Sequence, residues 1–341
     1  AGGGGALGLL LGGVLTEYLS WRWCLWVNLV LAIPAVIGGL VLLRHTRSGE
    51  KAHLDLPGVF TSVLGLLALV YGFSTAQTDG WSAPITIGML AAAVVLLAAF
   101  VIIEVRVAHP MLPMRVVLER NRGGSYLGLT LASMALFGVF LFLTYYLQTT
   151  LGYSPIQTGL AFLPMIGAIM VTATTSTAII LPRVGPRIPV TVGLLLGAVG
   201  MVLFTQIGVG TSYVTHVLPG LLVTGLGLGL VFAISFEVGT MGVEPSDAGV
   251  ASAMVNTTQQ VGGSIGTALL STLFATAVAS FLTTAADPNS QMAQAEAAVH
   301  GYSVAFWWSA AIFLVAAIAC GFIITNTTPE HDPNAPRPVA I

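Results

Sequence analysis

Apolar residues run through this chain in ten blocks, at roughly 1–15, 23–43, 59–76, 85–105, 127–148, 158–181, 189–207, 217–238, 252–281 and 303–324, parted by stretches that hold most of the charge. All but the first approach the ~20 residues that an α-helix needs to cross a bilayer. None alternates apolar with polar residues one by one, as the strands of a transmembrane barrel would. The pattern predicts an all-α polytopic membrane bundle embedded in a lipid bilayer.

The polar stretches give the helices a direction. Taken alternately, one set holds Arg44, Arg47, Lys51, Arg106, Arg115, Arg120, Arg122, Arg183, Arg187 and Arg337, and the other only Arg22. The positive-inside rule makes the rich set cytoplasmic and puts both ends of the chain on that side of the cell membrane. The sorting also supports the number of segments, because one helix missed or invented would mix the two sets. The first block is too short to span, so its helix is expected to begin upstream. An upstream part that itself starts in the cytoplasm would hold an even number of spans.

Composition narrows the classes further. Of 341 residues, 56% are hydrophobic and 7% charged, against about 25% charged in an ordinary soluble domain. The net charge is −2, and the basic residues are scattered over loops, so no nucleic-acid partner is expected. Cys24 and Cys320 fall in apolar blocks and read as packing residues. No metal site or cofactor is expected. The histidines lie in loops or at helix ends, and no HExxH, GxSxG or P-loop pattern points to an enzyme.

The opening AGGGGALGLLLGG has three readings: a linker, a phosphate loop or a packed membrane helix. Gly4, Gly8 and Gly12 recur every four residues, with Gly13 alongside. That spacing stacks them on one helix face. In lipid the backbone must bond to itself, so the helix persists, and a bare face admits a second helix. A phosphate loop would need a following Lys-Ser/Thr, which is absent. The packed helix is the reading adopted. Gly262, Gly263 and Gly266 in the ninth block, which runs in the same direction, hint at a repeat-built bundle.

Several stretches together resemble the major facilitator superfamily, and within it the fourteen-helix drug:proton antiporters. Gly4, Gly8, Gly12 and Gly13 are similar to that family's antiporter signature in helix five, with Leu9 in place of its proline. LTEYLSWRW at 15–23, LDLPG at 54–58, HPMLPMRV at 109–116, YYLQTTLGYSPIQTGLAFLP at 145–164 and GVASAMVNTTQQVGGSIGTAL at 249–269 extend the likeness. In LPRVGPR, Arg183, Gly185 and Arg187 match the superfamily's cytoplasmic loop signature, with Pro182 where it has aspartate. The resemblance implies about ten of fourteen helices. Residues 1–43 would close the N-terminal half, 44–105 would hold a linker and two extra central helices, and 106–126 a cytoplasmic connector. The six-helix C-terminal half would follow at 127–324 and a disordered tail at 325–341. It also implies a monomer exporting small amphipathic compounds in exchange for protons by alternating access, in a bacterial inner membrane. The rival is a truncated, non-transporting scaffold or sensor.

Each candidate site residue carries two readings. Asn256, Gln259 and Gln260 either line a substrate cavity or bond between helices. Phe142, Tyr145 and Tyr146 suit a bulky apolar or cationic compound, but tyrosines near a helix end also build an interfacial belt. Glu237 reads as the one carboxylate inside a span, either proton-coupling or solvated near the cytoplasmic boundary. Glu17 and Arg22 are expected to pair across the first outer turn. The run MLPMRVVLERNR is expected to form an interfacial helix. Thr172, Thr174, Thr175, Ser176 and Thr177 are expected to bond back to their own helix.

Overall fold

The computed structural model describes residues 2–42, 55–107, 110–244 and 246–326. The loop with Arg44, Arg47 and Lys51, His109 and the tail from 327 with Arg337 lie outside the described residues. Twelve helices are present among the described residues: α1 Gly2–Tyr18, α2 Trp23–Leu42, α3 Leu56–Thr78, α4 Pro84–Arg106, α5 Met114–Val117, α6 Arg120–Tyr145, α7 Pro155–Thr175, α8 Leu181–Val184, α9 Arg187–Phe204, α10 Leu218–Thr240, α11 Ala248–Thr284 and α12 Gln291–Ile323. Nine helical stretches of the described chain are long and apolar enough to cross a membrane, and α1 contributes a shorter apolar helix. All ten blocks of the sequence are therefore helices. α11 and α12 start earlier than their blocks, because polar turns such as Gln291–Gln294 are helical as well.

Local chemistry sets where helices begin. Asp55 caps α3 and precedes Pro57, and Ser154 with Gln157 closes a full capping box ahead of α7, with Pro155 in the first turn. Glu119 accepts from the amides of Asn121 and Arg122 at 3.0 and 2.8 Å, which starts α6 at Arg120. These contacts satisfy amides that the first helical turn leaves unpaired. The amphipathic connector is accordingly not one interfacial helix. It is the single turn α5 followed by the capped start of α6. Thr172, Thr174, Thr175, Ser176 and Thr177 all bond back to carbonyls three or four residues earlier.

Helices α6, α7, α9, α10, α11 and α12 form one body, with α3 and α4 paired beside it through α3 and α11, and α1 laid on α7. Its packing depends on backbones that come close. A methyl at Gly193 would sit 2.7 Å from the Gly227 carbonyl oxygen across the α9–α10 contact. At the basic end Arg120 donates to the last carbonyls of α12, Ile323 at 2.6 Å and Phe322 at 2.7 Å, where a helix end favours a cation. At the same end Arg115 reaches Asp247 at 2.7 Å, before α11. The described arginines other than Arg22 thus gather at one end of the bundle. α2 buries no residue, and Leu40 and Leu42 are 79% and 80% exposed. That is the surface expected of a helix bathed in lipid.

Candidate functional site

α11 has two faces. Ala251, Val255, Gly262, Gly266 and Leu270 are buried, and Gly262 and Gly266 lie directly on the backbone of α6 at Thr130 and Met134. The other face carries Ser252, Asn256, Gln260 and Ser264 at four-residue intervals. Asn256 donates to the Ser252 carbonyl at 3.0 Å and Gln259 to the Val255 carbonyl at 3.0 Å, each within α11. Neither makes an interhelical bond among the described residues. Gln260 faces a groove of about 350 Å³ lined by Val70 and Ser74 of α3, Phe137 of α6, and Gly263, Ser264 and Thr267 of α11.

A second groove, of about 250 Å³, runs between α1, α6 and α7. Gly8, Gly12 and Thr16 form one wall, Thr144 and Gln148 another, and Thr158 and Phe162 the third. α6 continues into a wide π turn, Tyr146–Thr150, which carries Gln148. Such turns recur at functional sites. Thr144 lies seven residues beyond Phe137, two helical turns along the same side, so one face of α6 serves both grooves.

The opening glycines divide between two surroundings. A methyl at Gly4, Gly8 or Gly12 would meet nothing within 4 Å, whereas one at Gly13 would come within 2.9 Å of the Pro155 oxygen. The contact with α7 runs through Leu9, Gly13 and Glu17, a four-residue series turned about 100° from the glycine register. Leu9 reciprocally crowds Gly159, where a methyl would be 3.0 Å from its carbonyl oxygen. Among the described residues, Gly8 and Gly12 widen a groove, and Gly13 packs.

Other candidates also move. Phe142 and Tyr146 are core residues, 2% and 0% exposed, and not cavity lining. Phe142 stacks on Phe274 at 5.2 Å. The Tyr146 hydroxyl bonds to the Gly208 carbonyl at 2.9 Å and to Thr211 at 2.7 Å. Spacing alone could not tell which face of α6 meets α12. Tyr145 is half exposed at the end of α6, as a belt residue would be. Glu237 is half-buried one turn before the end of α10, and no described residue bonds to its carboxyl. Arg183 and Arg187 are exposed, while Gly185 turns the chain at φ +71° with Asn326 packed on it, a place only glycine fits without strain. Glu17 does not pair with Arg22. Its Oε2 accepts from the Ser154 hydroxyl at 2.7 Å and the Ile156 amide at 3.0 Å, while Arg22 lies over the Trp21 ring at 5.0 Å.

Sequence reasoning passed over Thr144 and Thr158, whose only signal was a lone hydroxyl in an apolar block. It also held Glu237 to be the one carboxylate inside a span. Glu104, inside α4, is 3% exposed.

The sequence pattern of the Major Facilitator Superfamily matches residues 1–267. The chain belongs to this superfamily. The puromycin resistance protein pur8 of Streptomyces alboniger is 44% identical over 334 residues, 97% of this chain and 66% of that protein. The cephamycin export protein CmcT of Amycolatopsis lactamdurans is 35% identical over 79% of this chain and 56% of its own length. The tetracenomycin C resistance and export protein of Streptomyces glaucescens is 32% identical over 80% of this chain and 51% of its own. The chain thus spans between half and two thirds of the length of these relatives. The family and the nine apolar spans make it a multi-pass membrane protein, and membership points to transport rather than catalysis.

Proposed function

We propose that this chain serves a secondary active exporter of the bacterial inner membrane, which moves amphipathic, drug-like compounds outward in exchange for protons. The observation that carries the reading is the kinship: three relatives are named for antibiotic resistance or export, one of them along 97% of this chain. The two grooves supply what such a cargo needs. Each sets amide or hydroxyl groups beside apolar walls, with Gln260 and Phe137 in one and Gln148 and Phe162 in the other. Alternating access would open and close them as α1 and α3 shift against the body. The basic end faces the cytoplasm in this scheme, and a single copy suffices.

The test is transport into inverted membrane vesicles that contain the protein expressed from its complete gene. With an imposed proton gradient, puromycin or another compound of an amphipathic panel is expected to accumulate, and a protonophore to abolish accumulation. Gln260→Ala is expected to lower uptake severalfold or change which compounds are carried. Vesicles with intact gradients and normal amounts of protein that accumulate none of the panel refute the reading.

A further inference from the structure

Two carboxyl groups at the basic end belong to neither groove. Asp55 caps α3, and its Oδ1 accepts from the Gly58 amide at 3.0 Å. Glu104 lies two residues before the end of α4, and its Oε2 accepts from the Leu112 amide at 2.9 Å. They are 9% and 3% exposed. Each has one oxygen held by a backbone amide. The other two oxygens, Asp55 Oδ2 and Glu104 Oε1, are buried without a hydrogen-bond partner among the described residues. Both point at one spot over Gly58. A methyl there would overlap Asp55 Oδ2 and lie 2.9 Å from Glu104 Oε1. Glycine at this position leaves room for both carboxyls.

A buried acceptor with no donor is costly, and two carboxylates side by side disfavour a second charge. A single proton lessens both penalties, because it removes the second charge and turns one carboxyl into a donor. We propose that Asp55 and Glu104 hold one proton between them, forming a proton-binding site at the foot of the α3–α4 pair. The proton is taken from water at the basic end and returns there. No other bond changes.

Few charges compete for it. From α3 only Asp55 faces Glu104, and Asp55 is the charged neighbour that acts on it. Arg106, two residues along α4, makes no ion pair among the described residues. On the connector, Arg115 is engaged by Asp247 at 2.7 Å and Glu244 at 3.4 Å, and Glu119 pairs with Arg122 at 3.7 Å. Asp247, leading into α11, is thereby occupied as well. Lys51, His53 and His109 lie close in sequence but outside the described residues.

The site does not depend on export, so its test reads protonation alone. Infrared spectra of the full-length protein in bilayers at neutral pH are expected to show a carboxylic-acid carbonyl band, shifted in D₂O. That band should be missing from both Glu104→Gln and Asp55→Asn. Its absence from the wild type, or its persistence unchanged in both variants, overturns the proposal. The wild type supplies a check that needs no variant. The native state holds a proton that the unfolded state has released, so raising the pH through the range where the pair ionises should lower the melting temperature. Glu104→Gln, which brings its own N–H donor to Asp55, should flatten that slope. A wild type without the acid band that is instead stabilised by added Na⁺ or Mg²⁺ assigns the site to a cation and refutes the proton.

Discussion

A comparison of Gly266→Ala with Gly8→Ala tests which glycines hold the bundle together. Both sit in helices, so each substitution gains the same intrinsic helix preference, up to about 1 kcal/mol. Their surroundings differ. At Gly8 the new methyl meets nothing within 4 Å. At Gly266 it would stand 2.5 Å from the Met134 Cα, where ordinary contact begins at 3.4 Å. The obstacle is backbone, so no rotamer change relieves it, and α11 must part from α6 by about 1 Å. A gap of that size forfeits a quarter to a half of the attraction of each contact across it. Overpacking of this kind costs about 1–3 kcal/mol. The shared helix term cancels, so Gly266→Ala should be less stable than Gly8→Ala by about that amount. At roughly 2–4 °C per kcal/mol the melting temperatures should differ by at least about 2 °C. Thermal unfolding of both variants in one detergent, followed by tryptophan fluorescence, provides the measurement. Equal melting temperatures, or a lower one for Gly8→Ala, would refute the assignment of close packing to the α6–α11 seam.

Two further outcomes follow from the site geometry. Phe142→Ala should act as a core substitution: a cavity of roughly 100 Å³ at ~24 cal/mol per Å³ adds about 2 kcal/mol to the lost transfer energy, about 3–5 kcal/mol in all, visible as a lower melting temperature with the order of preference among compounds unchanged. A changed preference with full stability would return Phe142 to the cavity wall. Glu17→Ala removes the acceptor from the first turn of α7, so amide exchange at residues 154–158 should quicken several-fold in hydrogen–deuterium mass spectrometry while exchange in α9 stays constant. Unaltered exchange there would show that α7 needs no cap from α1.

The Glu17 contact bears on the proposed alternation of access. It joins the end of α1 to the start of α7 on the side away from the arginine-rich end, across the mouth of the α1–α6–α7 groove. Among the described residues, two hydrogen bonds and the Leu9–Gly13 stripe fasten α1 to α7 there.

The sequence by itself determined the class and where the apolar helices lie. Those properties follow from length and hydropathy, which act on each segment alone in its encounter with the bilayer. Where helices begin is also local chemistry, but hydropathy alone passes over it: Asp55 and Ser154 cap α3 and α7 ahead of the blocks that start at 59 and 158. Tertiary structure decided which face of each helix is covered. Gly12 and Gly13 are neighbours in sequence, yet one lines a groove and the other meets Pro155, since successive residues lie 100° apart around a helix. Tyr145 and Tyr146 divide in the same way between surface and core. Hydropathy is blind to this division, because lipid and protein interior are both apolar and demand the same side chains. The convergence of Asp55 and Glu104 over Gly58 was beyond the sequence for a related reason. They are 49 residues apart in the chain, and only the pairing of α3 with α4 brings both carboxyls beside Gly58.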